Sequence, residues 1–567
     1  MLSERYPDTN TNVRAVVKPI RELFVQIPEK NFWLALVAVV PIFFIACFNV
    51  ANLILSRGTF RQKEYALRIV FGATRFRVIR QLLAESMGLA LSGGIAAILI
   101  SMWAVDFMVP SFFYFIPAFF SFNMSGNVLA VAVLCIIAAG LLIGLLASFQ
   151  IPMKGYHEIL KEGGGNIPYD ARKVPIRNLL VAAEIALAFI LMIGAGMNVK
   201  NYSNIKRVHP GFDCINILTM QLTLPESKYQ TDQQINDFYQ LVIQRIEMID
   251  GVISTGINQQ IPLRSRLGWE VEYSLENQAA SEQRLNPHAN YQVVSPDYFK
   301  TLGIPLKSGR FFLYGDSKYA EDVAIISQSL ADYLWPTEEI LGKKLKLGDP
   351  DSRETWLTIV GIVGNIRHRG LDRDVTYDLY VSCFQHPVET FTIVTRVKDD
   401  TSGYIDAIKE AIADVDRHLS VYNVLSMKEV LSNTLDEPRA FTVLAFTFAA
   451  LALILATIGV YGTLSYSVSQ RSHPIGIKIA LGAQKSHILR DIIKKFSRLL
   501  LTGLLGGILG AILSSYLKTD LLVGETSFDP SVYIFSSIIL IATLASAAYL
   551  PAIRALQINP VEVLRYE

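Results

Sequence analysis

Long apolar runs and short alternating ones divide this chain into two kinds of territory. Seven stretches, near 33–55, 86–108, 128–150, 178–199, 440–466, 499–517 and 531–553, are apolar with few charges. Each approaches or exceeds the roughly 20 helical residues that cross a bilayer core, so each is predicted to span a membrane. From about 200 to 437 no such stretch occurs and the periods shorten. Ile235, Phe238, Val242, Ile246 and Ile249 recur at helical spacing up to Gly251, a predicted C-cap; Ile405, Ile408, Ile412 and Val415 form a second stripe. The runs Ile217–Leu224, Val323–Ile326, Trp356–Val363 and Thr390–Val397 read as strands. Together they predict an α+β domain with small antiparallel or mixed sheets. Val294-Ser-Pro-Asp-Tyr-Phe299 and Gly303-Ile-Pro305 are turn-rich, and 263–290 is expected to be a mobile polar loop.

The polar segments between spans carry a repeat. Arg61–Leu83 aligns without a gap on Arg471–Ile493 at an offset of 410 residues. Arg61/Arg471, Ile69/Ile479, Gly72/Gly482, Ala73/Ala483 and Arg80/Arg490 are identical, and Arg68 stands opposite Lys478. Each copy follows one apolar stretch and precedes two, so a three-helix membrane unit is duplicated.

Charge then fixes an orientation. The 567 residues are 51% hydrophobic, with mean hydropathy +0.35 and a net charge of only +2. Locally the balance is uneven: 56–82 and 467–498 each carry seven Lys/Arg, 153–177 carries five and 109–127 none. Basic loops stay in the cytoplasm, which puts these segments and the C-terminal tail inside and 200–437 outside. Residues 1–32 fall outside under this scheme, although they carry five basic residues. They are read as the remnant of a first outer domain whose anchoring helix is missing, the alternative being a short natural outer tail.

Soluble-enzyme chemistry finds no footing. The chain has no G-x-x-x-x-G-K-[ST] loop, no H-x-x-x-H and no G-x-S-x-G, and its eight histidines are scattered. No catalytic, cofactor or metal residues are assigned, and no nucleic-acid partner. Cys214 and Cys383 both lie in the outer region, where a bridge could form, but their spacing alone does not argue for one. Gly503/Gly507 and Gly506/Gly510 are small-xxx-small pairs suited to close helix packing. Asn49 and Asn52 in the first span are expected to make interhelical hydrogen bonds rather than bind substrate. Asp106 and Glu184 are expected to reach the membrane surface from span ends, Glu184 near a helix N-terminus.

Several motifs together carry a resemblance. Arg61, Glu64, Arg68, Gly72 and Ala73 are similar to the R-x-x-E-x-x-x-R-x-x-x-G-A signature of the MacB/FtsX-like ABC transporter permeases. Cys47-Phe-Asn-Val-Ala-Asn-Leu53, Ile458-Gly-Val-Tyr-Gly462 and Asn559-Pro-Val-Glu-Val-Leu-Arg565 resemble the family's unit starts and ending. His209-Pro-Gly-Phe212, Val294–Phe299, Gly309-Arg310 and Asp416 resemble its MacB-type periplasmic core domain. The resemblance implies a multi-pass permease of a bacterial inner membrane. It would work with a separate ABC ATPase, and a periplasmic adaptor or an outer-membrane protein could join it. ATP hydrolysis would drive motion of the outer domain (mechanotransmission), in export or efflux; a non-transporting FtsX-like regulator or sensor is the alternative. The implied division is 1–32 remnant, 33–153 first three-helix unit, 154–177 linker, 178–199 anchoring helix, 200–437 outer domain and 438–567 second unit.

The repeated segment is expected to be a surface helix that couples to the ATPase through Arg61, Glu64, Arg68, Gly72, Ala73, Arg471, Lys478, Gly482 and Ala483. Leu67, Ile69 and Phe71 would face the bundle, leaving Arg68, Arg75 and Arg77 for the partner or lipid headgroups. Pro474 replaces the glutamate in the second copy, whose helix is therefore expected to begin near Pro474, later than its counterpart.

Overall fold

A computed structural model describes residues 29–112, 124–148, 173–264, 270–276, 288–348, 354–470, 472–481, 484–517 and 529–557. Residues 1–28 of the expected remnant (1–32), most of the linker and the motif Asn559–Arg565 lie outside them, while 29–32 belong to the first helix. Two compact units emerge, Met1–Asn201 with Arg439–Glu567, and Tyr202–Pro438. Seven described helices are long and apolar enough to span a membrane.

The chain begins with α1 (Glu29–Phe60), α2 (Gln62–Val70), α3 (Arg75–Phe112), α4 (Gly126–Ser148) and α5 (Lys173–Arg207). Helices α3 and α4 interlock through glycines: a Cβ on Gly140 or Gly144 would strike Met87 or Leu83. The early start of α5 puts Glu184 three turns into the helix, far from the N-terminal position expected of it, and its side chain is fully buried.

The second unit runs β1 (Ile217–Thr223), α6 (Asp232–Glu247), β2 (Val252–Asn258), β3 (Glu270–Val271), β4 (Tyr273–Leu275), β5 (Ala289–Val294), α7 (Tyr298–Leu302), β6 (Leu306–Gly309), β7 (Val323–Ser327), α8 (Gln328–Leu334), β8 (Lys344–Leu347), β9 (Trp356–Val363), β10 (Asp378–Ser382), β11 (Thr390–Val397), α9 (Ile405–Val415), β12 (Tyr422–Ser426) and α10 (Met427–Thr434). One mixed sheet, in place of the small sheets expected, joins the strands in the order β12-β1-β11-β2-β5-β10-β7-β9-β8-β4, with β3 on β5 and β6 on β9. Both faces are covered. Ala324 and Ile326 join the core beneath α6 and α9, while Val323 and Ile325 join the core beneath α7 and α10. That explains the unbroken apolar run of β7. Capping boxes start α6 at Thr231/Gln234 and α10 at Ser426/Glu429. Helix α6 ends at Glu247, so Gly251 is not its cap; with φ +86° it instead turns the chain into β2. Part of the expected loop, 270–275, pairs as β3 and β4. Cys214 and Cys383 are free thiols that join different cores.

The chain ends with α11 (Asp436–Gln470), α12 (Ser472–Ala480), α13 (Lys485–Leu517) and α14 (Pro530–Leu556). Within the membrane unit α5 is the most enclosed span and α3 the least. Val181, Ile185, Ala188 and Phe189 of α5 share a core with α1, α11, α13 and α14. Its seat is the glycine face of α13: a Cβ on Gly503, Gly507 or Gly510 would meet Ile185, Phe189 or Ile190. At the repeat offset Gly503 corresponds to Gly93 of α3, which has nothing within 4 Å of such a Cβ.

Candidate functional site

The repeated segment folds as an elbow. Helix α2 ends in a Schellman motif: Gly72 takes φ +93°, Ala73 N–H donates to Arg68 O at 2.9 Å, and Gly72 N–H donates to Ile69 O at 3.0 Å. Thr74 then opens α3 by accepting from Arg77 N–H, so no slack chain separates the two helices. In the second copy, Leu481 N–H to Ile477 O and His487 N–H to Gln484 O, both 3.0 Å, repeat the bonds from Phe71 and Arg77.

Packing obeys the same register. Ile69, Val78 and Leu82 cluster inside the first elbow; Ile479, Ile488 and Ile492, their counterparts at +410, cluster inside the second. The apolar face expected of α2 is corrected here: only Ile69 turns inward. Leu67 is exposed and Phe71 is 84% exposed. Their counterparts Ile477 and Leu481 are also exposed, Leu481 at 83%. A two-residue step turns a helix by roughly 200°, so 67 and 71 share a face that 69 cannot join.

Electrostatics separate the copies. Arg68 Nη2 donates to Glu64 Oε1 at 2.6 Å and its Nη1 to Gln81, while Arg61 Nη1 reaches Glu85 Oε2 at 3.1 Å. Gln81 Nε2 donates to Glu85 Oε1 at 3.0 Å, closing a network that fastens α2 to α3. Arg68, expected to await a partner, is therefore engaged within the chain. In the second elbow Lys478 approaches Asp491 at 3.5 Å, the position pair of Arg68 and Gln81. Lys495 stands where the first copy has Glu85, and donates to Ser467. Arg471, Gly482 and Ala483 lie outside the described residues. Helix α12 begins at Ser472, the counterpart of Gln62, so Pro474 does not delay it. It occupies the first turn, where an amide has no intrahelical acceptor to lose.

Sequence reasoning missed Glu85, Gln81 and Asp491, although each lies on the first turns after the Gly-Ala corner at helical spacing. It anticipated the bonds of the two asparagines: Asn49 Nδ2 donates to Leu455 O of α11 and Asn52 Nδ2 to Glu184 Oε1 of α5, both at 3.0 Å.

The outer unit holds a second polar set. Asp378 Oδ1 accepts from Asn290 Nδ2 at 2.8 Å and Thr376 Oγ1 at 2.6 Å, with His368 Nε2 at 3.6 Å and 3.2 Å from Tyr380 OH. Burial pushes the Asp378 carboxyl up and the His368 imidazole down, each partly opposed by the other. With Asn290 on β5 and Asp378 on β10, the set joins two strands at the sheet's centre and is enclosed except at the half-buried Thr376. Among the described residues no group of three His, Cys, Asp or Glu is placed to hold a metal.

Comparison with known proteins matches the elbow-bearing helices to a family. The FtsX-like permease C-terminal family matches residues 36–152 and again 446–560, and the MacB-like periplasmic core domain matches 184–415. The chain belongs to the MacB/FtsX-like ABC permease family. It is accordingly a multi-pass membrane protein, with its apolar helices joined to an α+β domain. An uncharacterised ABC transporter permease of Methanocaldococcus jannaschii is 26% identical over 67% of this chain and 91% of its own. YvrN, an uncharacterised ABC transporter permease of Bacillus subtilis, is 27% identical over 48% of this chain and 69% of its own. The macrolide export ATP-binding/permease protein MacB of Neisseria meningitidis is 24% identical over 48% of this chain, which spans only 42% of that protein. Among solved structures, the periplasmic region of MacB from Actinobacillus actinomycetemcomitans aligns with 41% of this chain and 95% of its own, at 14% identity and a TM-score of 0.27.

Proposed function

We propose that this chain is the membrane subunit of an ABC-type exporter in a bacterial inner membrane, with a separate cytoplasmic ATPase seated on the two elbows. ATP-driven movement of that partner is passed through the membrane helices to the outer domain, and the chain itself performs no chemistry. The observation that carries this reading is the matched display of the elbows. In both copies the same two positions, Leu67/Phe71 and Ile477/Leu481, remain apolar and exposed, while the same three inner positions pack. An exposed apolar pair on a short, stiff helix is what a partner's groove takes up. Membership of a permease family and the export activity named for the meningococcal relative support the same direction.

Docking is proposed to be unequal, because the first elbow is braced by a five-residue network and the second, among its described residues, by one long ion pair. Co-purification of the cognate ATPase tests both points. Phe71→Ala, which removes an exposed ring and leaves the elbow core intact, is expected to weaken ATPase capture about tenfold or more, the scale of an interface hot spot. Glu64→Ala and Arg68→Ala are expected to weaken capture more than Lys478→Ala. Undiminished capture by all four variants overturns the docking site, and equal loss from the last three overturns its asymmetry.

A further inference from the structure

The repeat sets up a second site, deep in the membrane unit. At the 410-residue offset Asn49 and Asn52 of α1 correspond to Gly459 and Gly462 of α11, so polar side chains in one copy are matched by notches in the other. Helix α5 fits between them. Glu184, with 0% of its surface exposed, accepts from Asn52 at Oε1, and its Oε2 has no hydrogen-bond partner. A methyl group on Gly459 would collide with Oε2 and come within 3.1 Å of Asn49 Oδ1, so both oxygens line that notch. Asn52 Oδ1 and, one turn beyond Gly459, Thr463 Oγ1 are likewise buried without partners. Glu184 Oε2 and Asn49 Oδ1 thus meet at one enclosed notch.

Among the described residues no cation is paired with Glu184. The residues that α1 and α11 turn to it are neutral, and Ile185 beside it packs on Gly503 of α13. On α5 itself the other charged residue near this interface is Arg177, seven residues earlier, its backbone roughly 10 Å away along the axis. That guanidinium is committed to Gly462 O at 3.1 Å and to the Tyr466 ring at 4.1 Å. A carboxylate with a single hydrogen bond, enclosed between membrane helices, is strongly disfavoured against its neutral acid. A proton on Oε2 removes that charge and supplies a donor for the oxygens around the notch.

We propose that Glu184, Asn49, Asn52 and the Gly459 notch form a proton-binding site between the anchoring helix and the first helix of each repeat. Glu184 is held as a neutral carboxylic acid. Loss of the proton leaves a charge on Oε2, and α5 must then part from α1 and α11 to admit water. Proton occupancy therefore sets how tightly the two repeats close on α5.

Infrared spectroscopy of the full chain in lipid nanodiscs reads this directly. At neutral pH the carbonyl band of a protonated carboxylic acid is expected, absent from Glu184→Gln and unchanged in Asp106→Asn, whose side chain is exposed. An apolar carbodiimide, which adds to protonated carboxyls in apolar surroundings, gives an independent reading in the wild-type protein: an adduct on the α5 peptide that declines as pH is raised. An acid band that Glu184→Gln removes supports the site even without the adduct; a band that persists unchanged in Glu184→Gln, with no adduct on α5, belongs to another buried acid such as Asp378 and overturns it. Loss of a carboxylate band in Glu184→Gln, or wild-type protein with neither acid band nor adduct, overturns it.

Discussion

Gly72 and Gly459 are both glycines the repeat depends on, for opposite reasons. A Cβ at Gly72 meets nothing within 4 Å, so Gly72→Ala costs only the left-handed backbone, about 1–2 kcal/mol. It is expected to loosen the elbow without unfolding the bundle, read as faster proteolysis at 70–75 against an unchanged thermal midpoint. Gly459 has an ordinary backbone, and there a Cβ strikes Glu184. In the outer domain, Asp416 supplies a pH-dependent residue. Burial raises its carboxyl, but bonds from Lys228 Nζ at 2.8 Å, His418 N–H and Tyr229 OH outweigh burial and bring it to about 2, below the ordinary 3.8. A depressed carboxylate stabilises the fold above its unfolded value and loses that contribution as pH falls from about 4 toward 2. Discounted for the half-exposed Lys228, the term is on the order of 1–2 kcal/mol. Asp416→Asn should lower the unfolding midpoint at pH 7, with the gap to wild type closing near pH 2; a gap independent of pH contradicts the assignment. Residues of this kind were partly legible in sequence. Asp416 stood out only through a family resemblance, because its side-chain partners Tyr229 and Lys228 lie 187 and 188 positions away.

At the scale of elements, the strands Trp356–Val363 and Thr390–Val397 and the helix Ile405–Val415 could be read to the residue, because each is a continuous apolar or amphipathic run. The orientation of α2 could not. Leu67, Ile69 and Phe71 recur at the spacing of a strand, and on a helix that spacing divides them between two faces. Nor could the depth of Glu184, which depended on where α5 begins. The glycine face of α13 makes a sharper test of element packing. Gly507→Leu would press on Phe189 and on the backbone oxygen of Ala186, which cannot yield as a side chain can. Overpacking of this kind costs about 1–3 kcal/mol. Gly93→Leu, the same change at the position corresponding to Gly503 in the other repeat, meets open space and should leave the thermal midpoint in detergent unchanged. Equal effects at the two sites would mean that α3 and α13 are equally enclosed.

Across the whole molecule, the two copies differ in what surrounds them more than in how they fold. The division into a helical unit and an α+β unit was visible from hydropathy alone, whereas a single sheet of twelve strands was not, because pairings such as β5 with β10 join residues about 90 positions apart. Orientation follows from the basic segments and remains an expectation to be measured: alkaline phosphatase fused at Gly251 should be active and at Gly482 inactive, and the reverse would invert the topology. The elbow's capped corner has a mechanical corollary. Helix α2 has 9 residues and α3 has 38, arms of roughly 14 and 57 Å at 1.5 Å per residue. Joined without slack, they form a bent lever with a ratio of about four, so an ångström of thrust at the short arm becomes several at the far end of the long one. Among the described residues α12 and α13, at 9 and 33 residues, give the second copy a slightly lower ratio. Equal pushes on the two elbows would then yield unequal strokes, and a symmetric motor would tilt the bundle to one side.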